Sequence, residues 1–366
     1  MIQISKPFIG EEEKREVMRV LESGMLAQGK KVAELEELFC RICGTKYAVA
    51  TTNGTTALHA ALYALGIKPG DEVITTPFTF VATANPILMQ GAKVVFSDVD
   101  GDTCNLDAAG VEGKINERTA AVLPVDLYGL PFDARINSVA SKRKLLVLED
   151  ACQAIGAARD GKSCGSLGDA GAFSLYATKN VTCGEGGMIT TDSEETCEKA
   201  RRFRHHGQSE KTRYEYADIG HNYRMSDILA AIALGQLGRL EPLTGKRNEN
   251  ARRLGEGLEG LPGVALPSVP ANARHAFHQY TVRISEKAKV GRDRFVEMMK
   301  AAGVGVGVYY PKPLHLHPHF ARMGYRPGDF PVCEKLAAQV VSLPVHPHLS
   351  DDDVEKIITE ARRILS

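Results

Sequence analysis

The 366-residue chain predicts an α/β protein, with a large domain built on a mostly parallel sheet between helices and a smaller C-terminal α+β domain. Three observations carry this. Short β-rich runs alternate with helical stretches from residue 47 to about 240. Several of those runs are apolar on both faces, as strands covered on both sides must be. The texture then changes after about residue 245.

In chain order the expected strands are YAVAT (47–51), DEVITT (71–76), AKVVFSDV (92–99), AAVLPV (120–125), LLVLED (145–150), AFSLY (172–176) and GMITT (187–191). TTALHAALYALG and PFDARINSVASKRK, lying between them, read as helices. Further on, NENARRLGEGLEGLPG is a helix stopped by glycine and proline. FHQYTVRIS reads as a strand, RDRFVEMMKAAG as a helix and GVGVYY as another strand. DDDVEKIITEARRIL opens with carboxylates where the helix dipole favours them and is amphipathic. The expected division is 1–244, including the N-terminal segment, and 245–366, with that segment helping to pack the smaller domain.

Composition excludes several classes of function. Lys+Arg and Asp+Glu both total 45, so no net charge draws the chain to nucleic acid or an anionic membrane. No apolar run approaches the roughly 18 residues that would span a bilayer. MIQISKPFIGEEEKREV lacks the layout of a signal peptide, and the chain is expected to be soluble and cytoplasmic. Eight cysteines show neither disulfide nor zinc spacing. Cys40 and Cys43 form a CxxC inside the helical KVAELEELFCRICG, where they are expected to pack rather than react.

Three segments carry chemistry. In TTNGTTAL (51–58) a strand ends and a helix begins around Gly54 and Thr55, exposing amides that suit an anion, although threonine capping explains the pattern equally well. In LLVLEDACQAIG, Glu149 and Asp150 end an apolar strand, at the edge where open α/β sheets place ligands. In SLYATKNVTCGEGG, Lys179 lies between a β-prone run and a glycine loop, with Ser174 five residues upstream. Read alone it is a solvated lysine; held near a carbonyl with a lowered pKa, it is a Schiff-base amine. The glycines would let backbone approach a cofactor closely. An anion cradle, an acid for a ring nitrogen and an amine for an aldehyde together describe pyridoxal 5'-phosphate (PLP).

The chain resembles the DegT–StrS group of PLP-dependent sugar aminotransferases over nearly its whole length. The resemblance rests on SGMLAQGKKVAELEELF, NGTTALHAAL, PFTFVATANPIL, EDACQAIGA, FSLYATKNVTCGEGG, HHGQ, HNYRMSDILAAIALGQL, YYPKPLHLHP and SLPVHPHL. It implies the PLP transferase fold type I, like aspartate aminotransferase, and a homodimer with active sites at the subunit interface. It also implies roles. Lys179 matches the lysine that holds the cofactor, Asp150 the acid on the pyridine nitrogen, and Gln153 the residue beside the ring hydroxyl. Phe80 matches the aromatic stacked on the ring. Gly54, Thr55 and Ser174 match the phosphate site, to which Asn222 reaches from the partner subunit. His315 resembles the family's histidine near the sugar or donor, with Tyr310 and His206 as weaker substrate-binding candidates. Asp126 stands where many members carry histidine. A dehydratase branch replaces the lysine with histidine, so Lys179 favours amino transfer.

The reading that follows is transfer of an amino group from L-glutamate to a nucleotide-linked 3- or 4-keto sugar, with UDP or dTDP slightly favoured by YYPKPLH. The product would be an amino sugar, for a polysaccharide, a glycan or a secondary metabolite. The alternatives are a PLP-dependent dehydratase or other fold-type I transferase, and a non-catalytic PLP-binding regulator. The regulator would want a basic DNA-binding appendage, which the sequence lacks. HLHPH (His315, His317, His319) invites a metal, but prolines interrupt the spacing and no carboxylate completes a site.

Overall fold

The computed structural model describes residues 1–209 and 214–366. Its centre is a seven-stranded sheet in the order Tyr47–Thr51, Gly187–Thr191, Ala170–Ser174, Leu146–Asp150, Thr119–Leu123, Glu72–Thr75, Lys93–Phe96. All pairings are parallel except those of Gly187–Thr191, which runs against both neighbours. The expected mostly parallel α/β sheet is therefore present, with the same seven segments as strands. The run expected over 120–125 stops at Leu123, because Pro124 has no N–H for the ladder. The run expected over 172–176 lies at Ala170–Ser174, and the chain turns away after Ser174 pairs with Gly187.

The helix Gly54–Ala64 is buried on nearly every side, and its alanines let it lie close to the sheet. The helix Lys30–Cys43 is capped from a distance. Asp227 accepts from Gly29 N at 2.8 Å, Val32 N at 3.0 Å and Lys31 N at 3.1 Å. Cys40 and Cys43 lie on this helix as free thiols, Cys43 buried and Cys40 partly so.

A second, antiparallel sheet joins Val264–Ala265, Tyr280–Ile284 and Val340–Leu343. The helices Arg292–Ala301 and Asp351–Leu365 bury Phe295, Met299, Ile357 and Ala361 in its core. The long helix Leu240–Leu258 runs through residues 244 and 245, where the texture of the sequence changes. The first residues pack with this second unit: Ile2 N donates to Gly303 O and Gly305 N to Ile2 O. GVGVYY is not a strand. Gly307 makes one bridge to Ser342, and the Tyr309 ring then folds back against Gly307 as the chain leaves the sheet. No described helix is long and apolar enough to cross a membrane.

Candidate active site

The carboxyl ends of the central strands gather the chemistry. Lys179 closes a turn beyond Ala170–Ser174, its N–H donating to Tyr176 O at 2.9 Å. The next residue pins the loop to the second unit: Asn180 Nδ2 donates to Ala276 O at 2.9 Å, and Asn180 Oδ1 lies 3.3 Å from His278 Nδ1. Burial lowers the pKa of the Lys179 amine, with Cys152 and Asp150 pulling the other way. The glycines of the loop have another reason than a cofactor. A Cβ on Gly187 would lie 2.2 Å from Asn53 O, and one on Gly186 would strike Cys183 Sγ at 2.6 Å. They let strand and helix cap approach each other.

Asp150 is 4 % exposed, and its carboxylate is held from both sides. Thr83 Oγ1 donates to Oδ2 at 2.7 Å, and Cys152 N donates to Oδ1 at 3.2 Å. Thr79 Oγ1 backs Thr83 Oγ1 at 2.9 Å. Sequence reasoning missed Thr83, although it stands in PFTFVAT; its partner is 67 residues away, so no local pattern announces the bond.

At the helix Gly54–Ala64, Asn53 Oδ1 accepts from Thr56 N at 3.0 Å, which leaves the Gly54 and Thr55 amides facing outward. A Cβ on Gly54 would lie 2.9 Å from both Cys152 Sγ and Ser174 Cβ. Only glycine lets that helix terminus sit between the acid segment and the Ser174 strand. Gln153 is oriented by the backbone: Tyr128 N donates to its Oε1 at 2.9 Å, and its Nε2 lies 3.4 Å from Tyr310 Oη. Tyr310 faces Phe80, ring centroids 6.3 Å apart and 29° from parallel. Phe80 is 58 % exposed, while Phe78 in the same motif is core.

The remaining candidates lie elsewhere. Asn222 and His206 are exposed, on segments joined by the His205–Asn222 bridge and by His206 N donating to His221 O. His315 is fully buried, with Nε2 3.0 Å from Glu334 Oε1 and its ring edge-on to Phe330. It is held inside the fold because Leu314 N is anchored to Pro77 O, so an expected substrate contact meets a packed ring. His317 and His319 are exposed and do not converge with it.

Asp126 is also fully buried, behind the strand ends. Its Oδ1 accepts from Phe132 N at 2.7 Å. One ligand atom each of Asp126, Glu149 and Cys164 lies within 4.8 Å of the others. Burial raises the pKa of all three, and their mutual charge raises Asp126 and Cys164 further. The raised pKa of the thiol opposes metal ligation, and the raised pKa of the two carboxyls favours a proton kept between them.

The profile of the DegT/DnrJ/EryC1/StrS aminotransferase family matches residues 7–362. The chain is 41 % identical to the spore coat polysaccharide biosynthesis protein SpsC of Bacillus subtilis, over 99 % of this chain and 96 % of that one. It is 38 % identical to the GDP-perosamine synthase of Caulobacter vibrioides, over 100 % and 98 %. The PLP form of a putative sugar aminotransferase from Streptococcus pneumoniae superposes with a TM-score of 0.94 at 28 % identity, covering all of both chains. The chain belongs to the DegT/DnrJ/EryC1/StrS aminotransferase family, the PLP-dependent sugar aminotransferases.

Proposed function

We propose that the chain transfers the amino group of L-glutamate to a nucleotide-linked 3- or 4-keto sugar, giving an amino sugar. The observation that carries this is the pairing of Lys179 with Asp150. A lysine of lowered pKa stands near a buried carboxylate that has hydroxyl and amide donors but, among the described residues, no ion pair. That donor set fits PLP: a carboxylate for the ring N–H, an amine for the aldehyde, and the Gly54 and Thr55 amides with Ser174 for the phosphate.

When bound, PLP supplies an aldehyde that condenses with amines and a ring that accepts electrons from a deprotonated carbon. Asp150 keeps the ring nitrogen protonated, and Thr83 and the Cys152 amide keep that carboxylate aimed. Lys179 would serve as the base and acid for the substrate's proton, and its lowered pKa leaves more of the amine free to act as base. Gln153, oriented by Tyr128 N, would stand beside the ring hydroxyl, and the exposed Phe80 would stack on the ring. Tyr310 and His206 are assigned to the substrate, whereas His315, fully buried against Glu334 and Phe330, is not.

We further place the enzyme in the cytoplasm as a homodimer. Eight free cysteines fit a reducing compartment. Asn222 and Phe80, both assigned to the site, are exposed in the single chain and would be covered by a second copy. The GDP-perosamine synthase likeness supports a nucleotide-linked acceptor.

Lys179→Ala tests the assignment. Transamination should fall by at least about 1,000-fold while the fold survives, and borohydride should fix the cofactor onto position 179 of the wild type only. Unchanged turnover in the variant would end this reading. A panel of nucleotide keto sugars, read by mass spectrometry for gained nitrogen, then names the acceptor.

A further inference from the structure

The first amides of the helix Gly54–Ala64 belong to the phosphate cradle, and the same helix grips another segment further along. His59 and Tyr63 stand one turn apart on one face of it. Phe203, at the end of the helix Glu194–Arg204, is buried against that face. It stacks on Tyr63 with ring centroids 4.2 Å apart and lies edge-on to His59 at 5.0 Å. The cluster continues into HNYRM. The rings of His221 and Tyr223 stack 8° from parallel, centroids 4.8 Å apart, and His221 meets Phe203 at 4.8 Å. One polar contact joins helix and segment: His59 Nδ1 lies 3.1 Å from Tyr223 Oη. Burial, and then His221, lowers the pKa of His59 to about 4, so at neutral pH the ring meets the hydroxyl without a buried charge.

Asn222 stands between those two stacked residues. Its backbone is bridged to His205, while His221 N donates to Phe203 O at 2.7 Å and Tyr223 N to Arg204 O at 2.9 Å. Successive side chains of an extended chain point to opposite sides. With both neighbouring rings drawn into the cluster, Asn222 is turned outward, and it is exposed. Tyr216 and Ile219, a few residues before it, are exposed large apolar side chains, which suits a face that a second copy covers.

We propose that His59 and Tyr223 are positioning residues for Asn222, so that the helix cradling one cofactor's phosphate also sets the arm that reaches the phosphate in the partner subunit. The inference rests on the homodimer reading above, in which Asn222 serves the partner's site. A side-chain amide makes a directional hydrogen bond, so its carrier must be fixed closely. The two stacked rings fix which way Asn222 points, and the His59–Tyr223 contact fixes where along the helix the arm sits.

The test compares PLP with pyridoxal, which lacks the phosphate, by equilibrium dialysis against the full chain. Asn222→Ala should weaken PLP binding about 10- to 100-fold, and Tyr223→Phe and His59→Gln about 3- to 10-fold. Pyridoxal affinity should not change in any of them. Added to Asn222→Ala, neither Tyr223→Phe nor His59→Gln should cause a further loss, because both act through the missing amide. Tyr223→Phe removes a single oxygen and keeps the ring stack, so it reads the contact even where His59→Gln disturbs folding. Unchanged PLP affinity in Tyr223→Phe overturns the proposal. Equal losses for PLP and pyridoxal would make the cluster a general support of the fold, and a loss that persists in full beside Asn222→Ala would place its action elsewhere; each overturns it. If Asn222→Ala alone binds PLP as wild type does, the phosphate role of Asn222 falls and the proposal with it, while the Lys179→Ala result still decides the aminotransferase reading.

Discussion

Glu149 and Asp150 are adjacent acids at the end of one strand, yet they live in different chemistry. Successive side chains of a strand point to opposite faces. Asp150 meets Thr83 Oγ1 and the Cys152 amide, donors that stabilise a carboxylate, on the side where Lys179 approaches. Glu149 meets Asp126 and Cys164, with Leu167 N donating to Oε2 at 3.1 Å. One face offers hydroxyl and amide donors to a carboxylate; on the other, burial raises the pKa of two neighbouring carboxyls. The pair shows that the sheet's two faces, rather than residue type, set the surroundings of each acid here.

The largest test of this contrast is an isosteric swap at each acid. Asp150→Asn should lower the rate of the L-glutamate half-reaction by about 100- to 10,000-fold, because the amide cannot hold a proton on the ring nitrogen. Glu149→Gln should leave that rate within about threefold, since Gln still accepts from Leu167 N. Single-turnover absorbance of both variants measures it. Equal losses would erase the distinction between the faces.

Much of this was legible in the sequence, and the limits have physical causes. The seven strands showed because buried parallel strands are apolar throughout. Lys179, Asp150 and Ser174 could be singled out because they sit in compact motifs at strand ends, and Gln153 through the family resemblance. Thr83 could not, since its partner is brought close only by folding, across 67 residues; Asp126 stood out only as a departure from the family's histidine, and its pairing with Glu149 comes from folding alone. GVGVYY has the composition of a strand, but a tyrosine ring folded onto Gly307 takes the place of further pairing.

The next effect concerns stability. Glu149→Ala leaves the Leu167 amide and the Asp126 carboxyl without their buried partner, and should cost about 1–3 kcal/mol. Urea unfolding of the apo protein measures it. The same substitution at Asp150 should cost less, because Thr83 Oγ1 keeps Thr79 Oγ1 as a partner and Cys152 is only partly buried. A reversed order would mean that Asp150 is the structural acid.

The smallest effect is also the most specific to the shared proton. Burial raises the pKa of both Asp126 and Glu149 above unfolded values near 4. Between that value and the raised folded values, the native state binds more protons than the unfolded state. The pair's contribution to stability is therefore full in acid and is lost as pH rises. Asp126→Asn puts a permanent N–H donor where the shared proton sits and keeps an acceptor for Phe132 N. It should flatten the fall of stability with pH above about 4, while leaving the L-glutamate half-reaction nearly unchanged. Parallel urea titrations at several pH values, on wild type and variant, decide it. An unaltered slope would mean that both carboxyls are ionised in the native protein, and that the two faces of the strand differ in their neighbours but not in their charge.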